Sequence, residues 1–162
     1  GNHVIILREV LMPYWRLYYH IIWGTKNRQP LLLPEVEPII YGFIRRKVSG
    51  LEGMLHAVNS CLDHVHLVVS IPPKIAIAAF IGQVKGVTTA QYNKSEHYQT
   101  PIYWQEEYGV LSFDEKRLPN YVDYVEKQKI HHAQGTIFKI LENAGPIEVH
   151  KLAEESADYF TD

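Results

Sequence analysis

The segment from Cys61 to Ser70 constrains the fold most, because it sets two histidines two residues apart inside an apolar, β-branched run, and alternate side chains of a β-strand project to the same face. His64 and His66 would project from one face of that strand, while the valine and leucine residues that alternate with them would project from the other. Buried imidazoles need hydrogen-bond partners or a metal ion. The histidine pair therefore predicts either half of a metal site or the polar side of a half-exposed strand.

Length and cysteine content indicate one domain in a reducing compartment. A chain of 162 residues can bury a single core without disulfides or a structural metal. Its one cysteine, Cys61, excludes an intramolecular disulfide and, within an apolar strand that has no activating charge, is predicted to be a core residue. The sequence shows neither a signal peptide nor an apolar segment long enough to cross a bilayer. These features predict a cytoplasmic protein.

Charge is distributed unevenly along the chain. Residues 142–162 carry six acidic residues against Lys151 alone, so this segment has a net charge of −5 and residues 1–141 have +3, within an overall charge of −2. The overall charge argues against a polyanionic partner, but the distribution permits contact of the first part with phosphate groups. We predict a folded domain over residues 1–135 and an acidic tail over 136–162 that is partly helical or mobile.

Hydrophobic periodicity and turn residues predict seven elements in the order β-α-β-β-α-β-α. Strands are predicted over residues 14–25, 54–60, 61–71 and 102–113, the last with its preceding loop, and helices over 34–50, 75–93 and 118–133. This order is the split βαβ pattern of the α+β ferredoxin-like folds, which include RRM-like domains. It predicts an antiparallel sheet with helices on one face, a further C-terminal helix, and a second face free to bind a ligand.

The last predicted helix offers groups that could complete a site with the histidines. Two histidines alone are an incomplete metal site, since divalent cations take further ligands. Tyr124 and Gln128 are four residues apart and would lie one above the other on a helix face, with Tyr121 one turn earlier. From spacing alone, the alternative is that these tyrosines pack at the rim of the core with their hydroxyls in water.

Several segments together resemble the single-tyrosine transposases of the insertion-sequence-200-like family, whose metal site is a His-hydrophobic-His motif. Leu62 to Val69 resembles that motif, and Tyr124 to Gln128 resembles the helix of the family that bears its tyrosine. Three further segments match in the family's order: Tyr19 to Lys26 in the first strand and turn, Lys85-Gly86 in the middle helix, and Trp104 to Ser112 before the tyrosine helix. The resemblance covers roughly residues 14 to 132. The family includes the REP-associated tyrosine transposases.

The resemblance implies a reaction and a set of roles. His64 and His66 would bind Mg²⁺ or Mn²⁺ with Gln128 as third ligand, and Tyr124 would attack phosphorus to leave a 5′-phosphotyrosine bond and a free 3′-hydroxyl. The implied partner is single-stranded DNA with hairpin or palindromic ends, and the implied assembly is a homodimer. Two alternatives remain open: a domesticated DNA-binding protein that retains the site, and a metal-dependent phosphodiesterase that uses water in place of Tyr124.

Other side chains near these motifs have two interpretations each. Lys85 could contact phosphate, while Trp104 and Tyr108 could stack on unpaired bases or pack in the core. Asp63 could orient an imidazole as a hydrogen-bond acceptor or could end a turn. His131 and His132 could contact DNA or metal, although their position favours a solvated helix end.

Overall fold

The structure is a computed structural model that describes residues 14–95 and 100–145. Within these two ranges, four strands and four α-helices follow one another in the order β1-α1-β2-β3-α2-β4-α3-α4. The strands are β1 (Tyr18–Gly24), β2 (Met54–Cys61), β3 (His64–Ser70) and β4 (Gly109–Phe113). The helices are α1 (Glu37–Gly50), α2 (Ile77–Lys94), α3 (Leu118–Glu126) and α4 (Gln128–Gln134). The predicted ferredoxin-like α+β order is confirmed, although β1 begins four residues later than the sequence pattern suggested.

The strand that carries both histidines lies inside the sheet. The four strands are ordered β2-β3-β1-β4, and all neighbouring pairs are antiparallel. Because β3 has a strand on each side and layers on both faces, all seven of its residues are buried. In the register with β1, His64 is paired with Gly24 and His66 with Ile22. The histidine positions are therefore fixed by two hydrogen-bonded neighbours.

One face of the sheet holds the main core. Alternate residues of β1 and β3 pack there against α1 and α2, whose apolar side chains recur at helical spacing. The buried members of this core from the four elements are Ile21, Trp23, Val65, Leu67, Val69, Ile40, Ile44, Val48, Phe80, Ile81, Val84 and Tyr92. This packing leaves the remaining side chains of β3, the two imidazoles included, on the opposite face.

The opposite face is covered by the last part of the described chain, which corrects the expectation that it is free. Tyr121, Tyr124 and Val125 of α3 pack with Val68 of β3 in a second, smaller core. A short 3₁₀ turn at Lys139–Glu142 adds two buried side chains, Ile140 and Leu141, to this core. The chain itself thus lays a tyrosine-bearing helix over the face that bears the histidines.

The helix predicted over residues 118–133 is two helices that meet at Lys127, whose dihedral angles are φ −97° and ψ 17°. The amide of Asn59 in β2 donates to the carbonyls of Val125 and Glu126, each over 3.0 Å. In a continuous helix those carbonyls would accept backbone N–H groups four residues on. A side chain inserted into this hydrogen-bond ladder is a recognised cause of a kink, and helical periodicity in the sequence cannot reveal it.

Gly109 at the start of β4 allows the 139–145 segment to approach the sheet, and its replacement should loosen that segment. A Cβ atom there would collide with the carbonyl oxygen of Asn143 and lie 2.8 Å from Cγ2 of Ile22. We expect Gly109→Ala to lower the free energy of unfolding by roughly 2 kcal/mol, as overpacking does. Thermal unfolding followed by circular dichroism measures the change.

Gly82 in α2 is the matched control for this prediction. A Cβ on Gly82 meets nothing within 4 Å, so Gly82→Ala should raise stability by about 0.5–1 kcal/mol because alanine is the better helix former. If Gly109→Ala were as stable as the wild type, that result would contradict the close contact between Gly109 and the carbonyl oxygen of Asn143.

Candidate active site

His64 and His66 stand side by side on β3, with exposed fractions of 2% and 0% and ring centroids 5.1 Å apart. Each ring is fixed through its Nδ1 atom. Asp63 Oδ1 lies 2.6 Å from Nδ1 of His64, and Nε2 of His20 lies 2.8 Å from Nδ1 of His66. Such contacts set the tautomer and orientation of a metal-binding imidazole. Both Nε2 atoms are therefore left for a common partner.

Asp63 occupies the orienting position that one of its two sequence interpretations described. Arg28 contacts the same carboxylate, with Nε 3.3 Å from Oδ2. Burial alone would raise the pKa of Asp63, but the hydrogen bond with His64 and the charge of Arg28 lower it. Asp63 is therefore ionised at neutral pH and accepts a hydrogen bond from Nδ1–H of His64.

His20 plays the corresponding part for His66 and was missed by the sequence argument. It is 1% exposed, and burial together with the neighbouring His66 lowers its pKa well below the ordinary value, so the ring is neutral. The only sequence signal was an imidazole in the apolar strand β1. Its pairing with His66 depends on the β1–β3 register, which periodicity alone does not give.

Two further side chains complete a group that we call the His–Glu cluster: His64, His66, His132 and Glu142. Oε2 of Glu142 lies 3.3 Å from Nε2 of His64, 3.2 Å from Nε2 of His66 and 3.2 Å from Nε2 of His132. Nε2 of His132 is also 3.2 Å from Nε2 of His64. One potential ligand atom from each of the four residues lies within 4.8 Å of all the others. Such convergence is typical of metal-binding sites.

Neither His132 nor Glu142 was assigned to this site from the sequence. His132 was favoured as a solvated helix end, whereas its side chain is 31% exposed and contacts His64. Glu142 was counted with the acidic tail, whereas its side chain is 12% exposed and lies against the histidines. The kink at Lys127 and the turn at 139–142 bring these two side chains to the histidines of β3. Residues 146–162, to which most of the predicted tail belongs, lie outside the described residues.

The cluster carries opposite charges in close contact. Burial would lower the pKa of His64, but hydrogen bonds with Cys61, Glu142 and Asp63 raise it to about 10. Burial lowers the pKa of His66 to about 4, in spite of its contact with Glu142. The hydrogen bonds from the histidines hold the pKa of Glu142 well below its usual range, although burial opposes this. At neutral pH, Glu142 is a carboxylate, His64 is protonated and His66 is neutral.

Tyr124 reaches the cluster through Glu142. Its side chain is 2% exposed, and its hydroxyl donates to Oε1 of Glu142 over 2.7 Å. The hydroxyl oxygen of Tyr124 also accepts a hydrogen bond from the backbone N–H of Phe138 over 3.1 Å. The ring stacks on His131 with centroids 4.7 Å apart. Burial and the Glu142 carboxylate raise the pKa of Tyr124. The hydroxyl is therefore held protonated, one carboxylate away from both imidazoles of β3.

Gln128, the predicted third metal ligand, is the first residue of α4 and is 0% exposed. Neither its Oε1 nor its Nε2 atom has a hydrogen-bond partner among the described residues. A buried amide without partners costs about 1–3 kcal/mol. A buried amide without partners is expected where the side chain binds an ion or a ligand.

The three side chains predicted to contact DNA lie together, but they contact each other and a loop rather than the His–Glu cluster. Nζ of Lys85 donates to the backbone carbonyls of residues 105, 106 and 107, over 2.7, 3.2 and 3.3 Å. Nε1 of Trp104 donates to the Lys85 carbonyl over 3.0 Å, and the Tyr108 ring centroid is 6.0 Å from Nζ of Lys85. Trp104 also packs edge-on against Trp23 of the core. Lys85 therefore fastens the 105–107 loop to α2.

This geometry predicts a stability effect for Lys85→Met. Burial lowers the pKa of Lys85, and the variant would leave three carbonyls without their donor. We expect a loss of roughly 2 kcal/mol in the free energy of unfolding, measured by chemical denaturation. Lys94→Met, at the exposed end of α2, is the control and should be neutral. A variant of Lys85 with unchanged stability but weaker, less salt-dependent DNA binding would instead indicate a phosphate contact.

Comparison with known proteins decides the family. Residues 13–128, which include the paired histidines, Tyr124 and Gln128, match the family described as "Transposase IS200 like". The chain belongs to this family. The match ends before His132 and Glu142, so the family assignment carries no information about these two members of the cluster.

Individual members of the IS200-like family show the extent of the similarity. The chain is 28% identical over 72 residues to the transposase for insertion sequence element IS200 of Salmonella typhimurium, a match that covers 44% of this chain and 47% of that protein. The chain thus aligns with about half the length of that relative. It is 30% identical over 121 residues to the ISDra2 transposase TnpA of Deinococcus radiodurans, covering 70% of this chain and 85% of the relative.

Solved structures agree with the family fold. A Deinococcus radiodurans R1 chain described as a candidate transposase aligns with a TM-score of 0.58 and 26% identity, over 75% of this chain and 98% of that chain. A REP-associated tyrosine transposase solved with a REP hairpin aligns with a TM-score of 0.57 over 78% of this chain and 74% of that one. At 16% identity, the second likeness concerns the fold alone. Among the described residues, no helix has the length and apolar character needed to span a membrane.

Proposed function

We propose that this IS200-like family member is a DNA transposase that cleaves and rejoins single-stranded DNA through a covalent 5′-phosphotyrosine. The observation that carries the proposal is the position of Tyr124, whose hydroxyl is linked through one Glu142 carboxylate to Nε2 of His64 and of His66. A nucleophile this close to two convergent imidazoles suits phosphoryl transfer. The family match supports DNA transposition as the overall process.

In the proposed reaction, Oη of Tyr124 attacks phosphorus and loses its proton as the new P–O bond forms. The P–O3′ bond breaks, and the leaving oxygen becomes a free 3′-hydroxyl. Rejoining is the same step in reverse, in which a 3′-hydroxyl attacks the phosphotyrosine and releases Tyr124. Since one phosphodiester-type bond is exchanged for another, neither ATP nor water is consumed.

The proposed metal ligands are those that the family resemblance implies, His64, His66 and Gln128. The convergent imidazoles and the unpartnered amide of Gln128 fit a divalent cation. When bound, Mg²⁺ or Mn²⁺ would polarise the scissile phosphate and compensate the negative charge that holds Tyr124 in its protonated form. His20 and Asp63 keep the two imidazoles oriented through their Nδ1 atoms.

The proposed substrate is single-stranded DNA with a hairpin or palindromic end, and the proposed assembly is a homodimer. The likeness in fold to a transposase solved with a REP hairpin is consistent with a hairpin substrate. The homodimer is the assembly that the family resemblance implies. In the structure of the single chain, Tyr124 contacts Glu142, which in turn contacts the histidines of the same chain.

A covalent-trapping experiment tests the proposal. The protein is incubated with single-stranded oligonucleotides that carry a short hairpin and with Mg²⁺ or Mn²⁺, and the products are separated on a denaturing gel. We expect a DNA-linked protein band, with the attachment mapped by mass spectrometry to Tyr124. Cleavage without a linked band would support a phosphodiesterase instead, and tight binding without cleavage would support a domesticated binding protein.

A further inference from the structure

The contacts of Glu142 and His132 are more specific than those of an ordinary salt bridge. Three imidazole Nε2 atoms lie 3.2 to 3.3 Å from a single oxygen, Oε2 of Glu142. Ligand atoms bound at about 2.1 Å to one tetrahedral ion are separated by roughly 3.4 Å. These three distances, and the 3.2 Å between Nε2 of His64 and Nε2 of His132, are close to the separation of donors that share an ion.

Without an ion, protons hold the cluster together, because N–H groups of the histidines donate to Oε2 of Glu142. The Nε2 atoms of His64 and His132 are 3.2 Å apart, so at most one of them can direct a proton at the other. A divalent cation can replace these protons, since metal binding to imidazole and carboxylate groups releases protons and uses the same donor atoms.

We infer that His132 and Glu142 are metal ligands in addition to the proposed His64, His66 and Gln128, and that the three imidazoles make the site prefer a transition-metal ion to Mg²⁺. Imidazole nitrogens suit ions such as Co²⁺ and Zn²⁺, whereas Mg²⁺ prefers oxygen ligands and retains its water. The inference deepens the proposed function, on which it rests for His64 and His66. It adds two ligands from residues beyond the family match.

The same arrangement couples metal binding to the nucleophile. The two oxygens of Glu142 have different partners, because Oε2 contacts the histidines and Oε1 accepts the hydroxyl of Tyr124. An ion held by the proposed ligands would compensate the charge of the carboxylate, so that Glu142 would hold the hydroxyl of Tyr124 less strongly. Glu142 would thus link occupancy of the metal site to Tyr124 through one side chain.

Metal titration of the full chain tests the inference without requiring catalysis. The metal-stripped protein is titrated with Mn²⁺, Co²⁺ and Mg²⁺ by calorimetry, and the visible absorption of bound Co²⁺ reports its coordination. We expect the wild type to bind Co²⁺ at least about tenfold more tightly than Mg²⁺, with Mn²⁺ between the two. Both His132→Ala and Glu142→Gln should weaken Co²⁺ binding by about tenfold or more and change its absorption spectrum.

Two matched controls come from the same chain. His56→Ala removes a histidine whose Nε2 contacts Ser70 in the sheet, and Glu126→Gln removes an exposed carboxylate of α3. Both should bind Co²⁺ like the wild type. His132 is partly exposed, so its replacement should leave the fold intact, and thermal unfolding of each metal-free variant checks this.

Each result of the titration bears on the inference. Wild-type Co²⁺ affinity and spectra in folded His132→Ala and Glu142→Gln would overturn the two added ligands. Equal affinity of the wild type for Mg²⁺ and Co²⁺ would overturn the metal preference. Neither result would affect the covalent adduct at Tyr124. Conversely, failure to form the adduct would refute the proposed function while the titration still identified the ligands.

Discussion

Tyr124→Phe is expected to abolish the DNA-linked protein band and to reduce cleavage of a single-stranded hairpin by about 1,000-fold or more, because it removes the nucleophile. The variant also loses the hydrogen bond to Glu142 and the one accepted from Phe138. These losses should cost about 1–2 kcal/mol of stability, too little to unfold a protein of ordinary stability. Denaturing gels measure the adduct, and circular dichroism confirms that the variant is folded.

Tyr121→Phe is the matched control for this experiment. Tyr121 precedes Tyr124 by three residues on α3, and its ring stacks on Phe113 with centroids 3.9 Å apart. Phenylalanine preserves that stacking, so adduct formation should stay within about twofold of the wild type. Cleavage that survived in Tyr124→Phe would identify water as the nucleophile and the phosphodiesterase as the better assignment.

His66→Ala is expected to remove metal-dependent cleavage, with a loss of about 100-fold or more. His66 is 0% exposed and directs Nε2 at the cluster while His20 holds its Nδ1. The substitution takes away a ligand and also leaves His20 without that partner, so a loss of roughly 2 kcal/mol in stability should accompany it. Cleavage rates at increasing Mn²⁺ concentration measure the effect.

His56→Ala is the appropriate comparison, since it removes a histidine from the neighbouring strand β2 without touching the cluster. Its metal dependence should equal that of the wild type. If His66→Ala cleaved at the wild-type rate across the Mn²⁺ series, His66 could not be a ligand. Loss of cleavage in both His66→Ala and Tyr124→Phe would separate the transposase from the phosphodiesterase, which needs only the histidine.

The parts of the fold that local patterns determine were predictable from the sequence. Alternation along β3 gave the two faces of the strand, and helical periodicity gave α1 and α2 to within a few residues. The same patterns placed His64 and His66 together because a strand repeats every two residues. The family resemblance added Tyr124 and Gln128 as the groups that would meet them.

The remaining parts of the site depend on long-range contacts that no local pattern encodes. Asn59 breaks the last helix by binding its carbonyls from another strand, and this changes the direction in which His132 points. Glu142 belongs to a segment without periodicity, which is held by its packing on the sheet. Lys85 is a residue of the type that binds phosphate, yet its ammonium group donates all three of its hydrogen bonds to backbone carbonyls of a loop that is distant in sequence.

The domain boundary predicted at residue 135 remains a prediction. Residues 139–142 form a turn packed on the histidine-bearing face, and Ile140 and Leu141 are buried there. The prediction of a partly helical or mobile tail concerns mainly residues 146–162, which lie outside the described residues.

The alternation within β3 also determines which mutations in this strand can abolish activity without preventing folding. The same seven residues supply the core with Val65 and Leu67 and the cluster with His64 and His66. Inserting or deleting one residue there would exchange the two sets, burying imidazoles among aliphatic side chains and turning the aliphatic residues toward the cluster. Copies that lose activity but still fold should therefore carry substitutions at the histidines, and insertions or deletions should be confined to sites outside this strand.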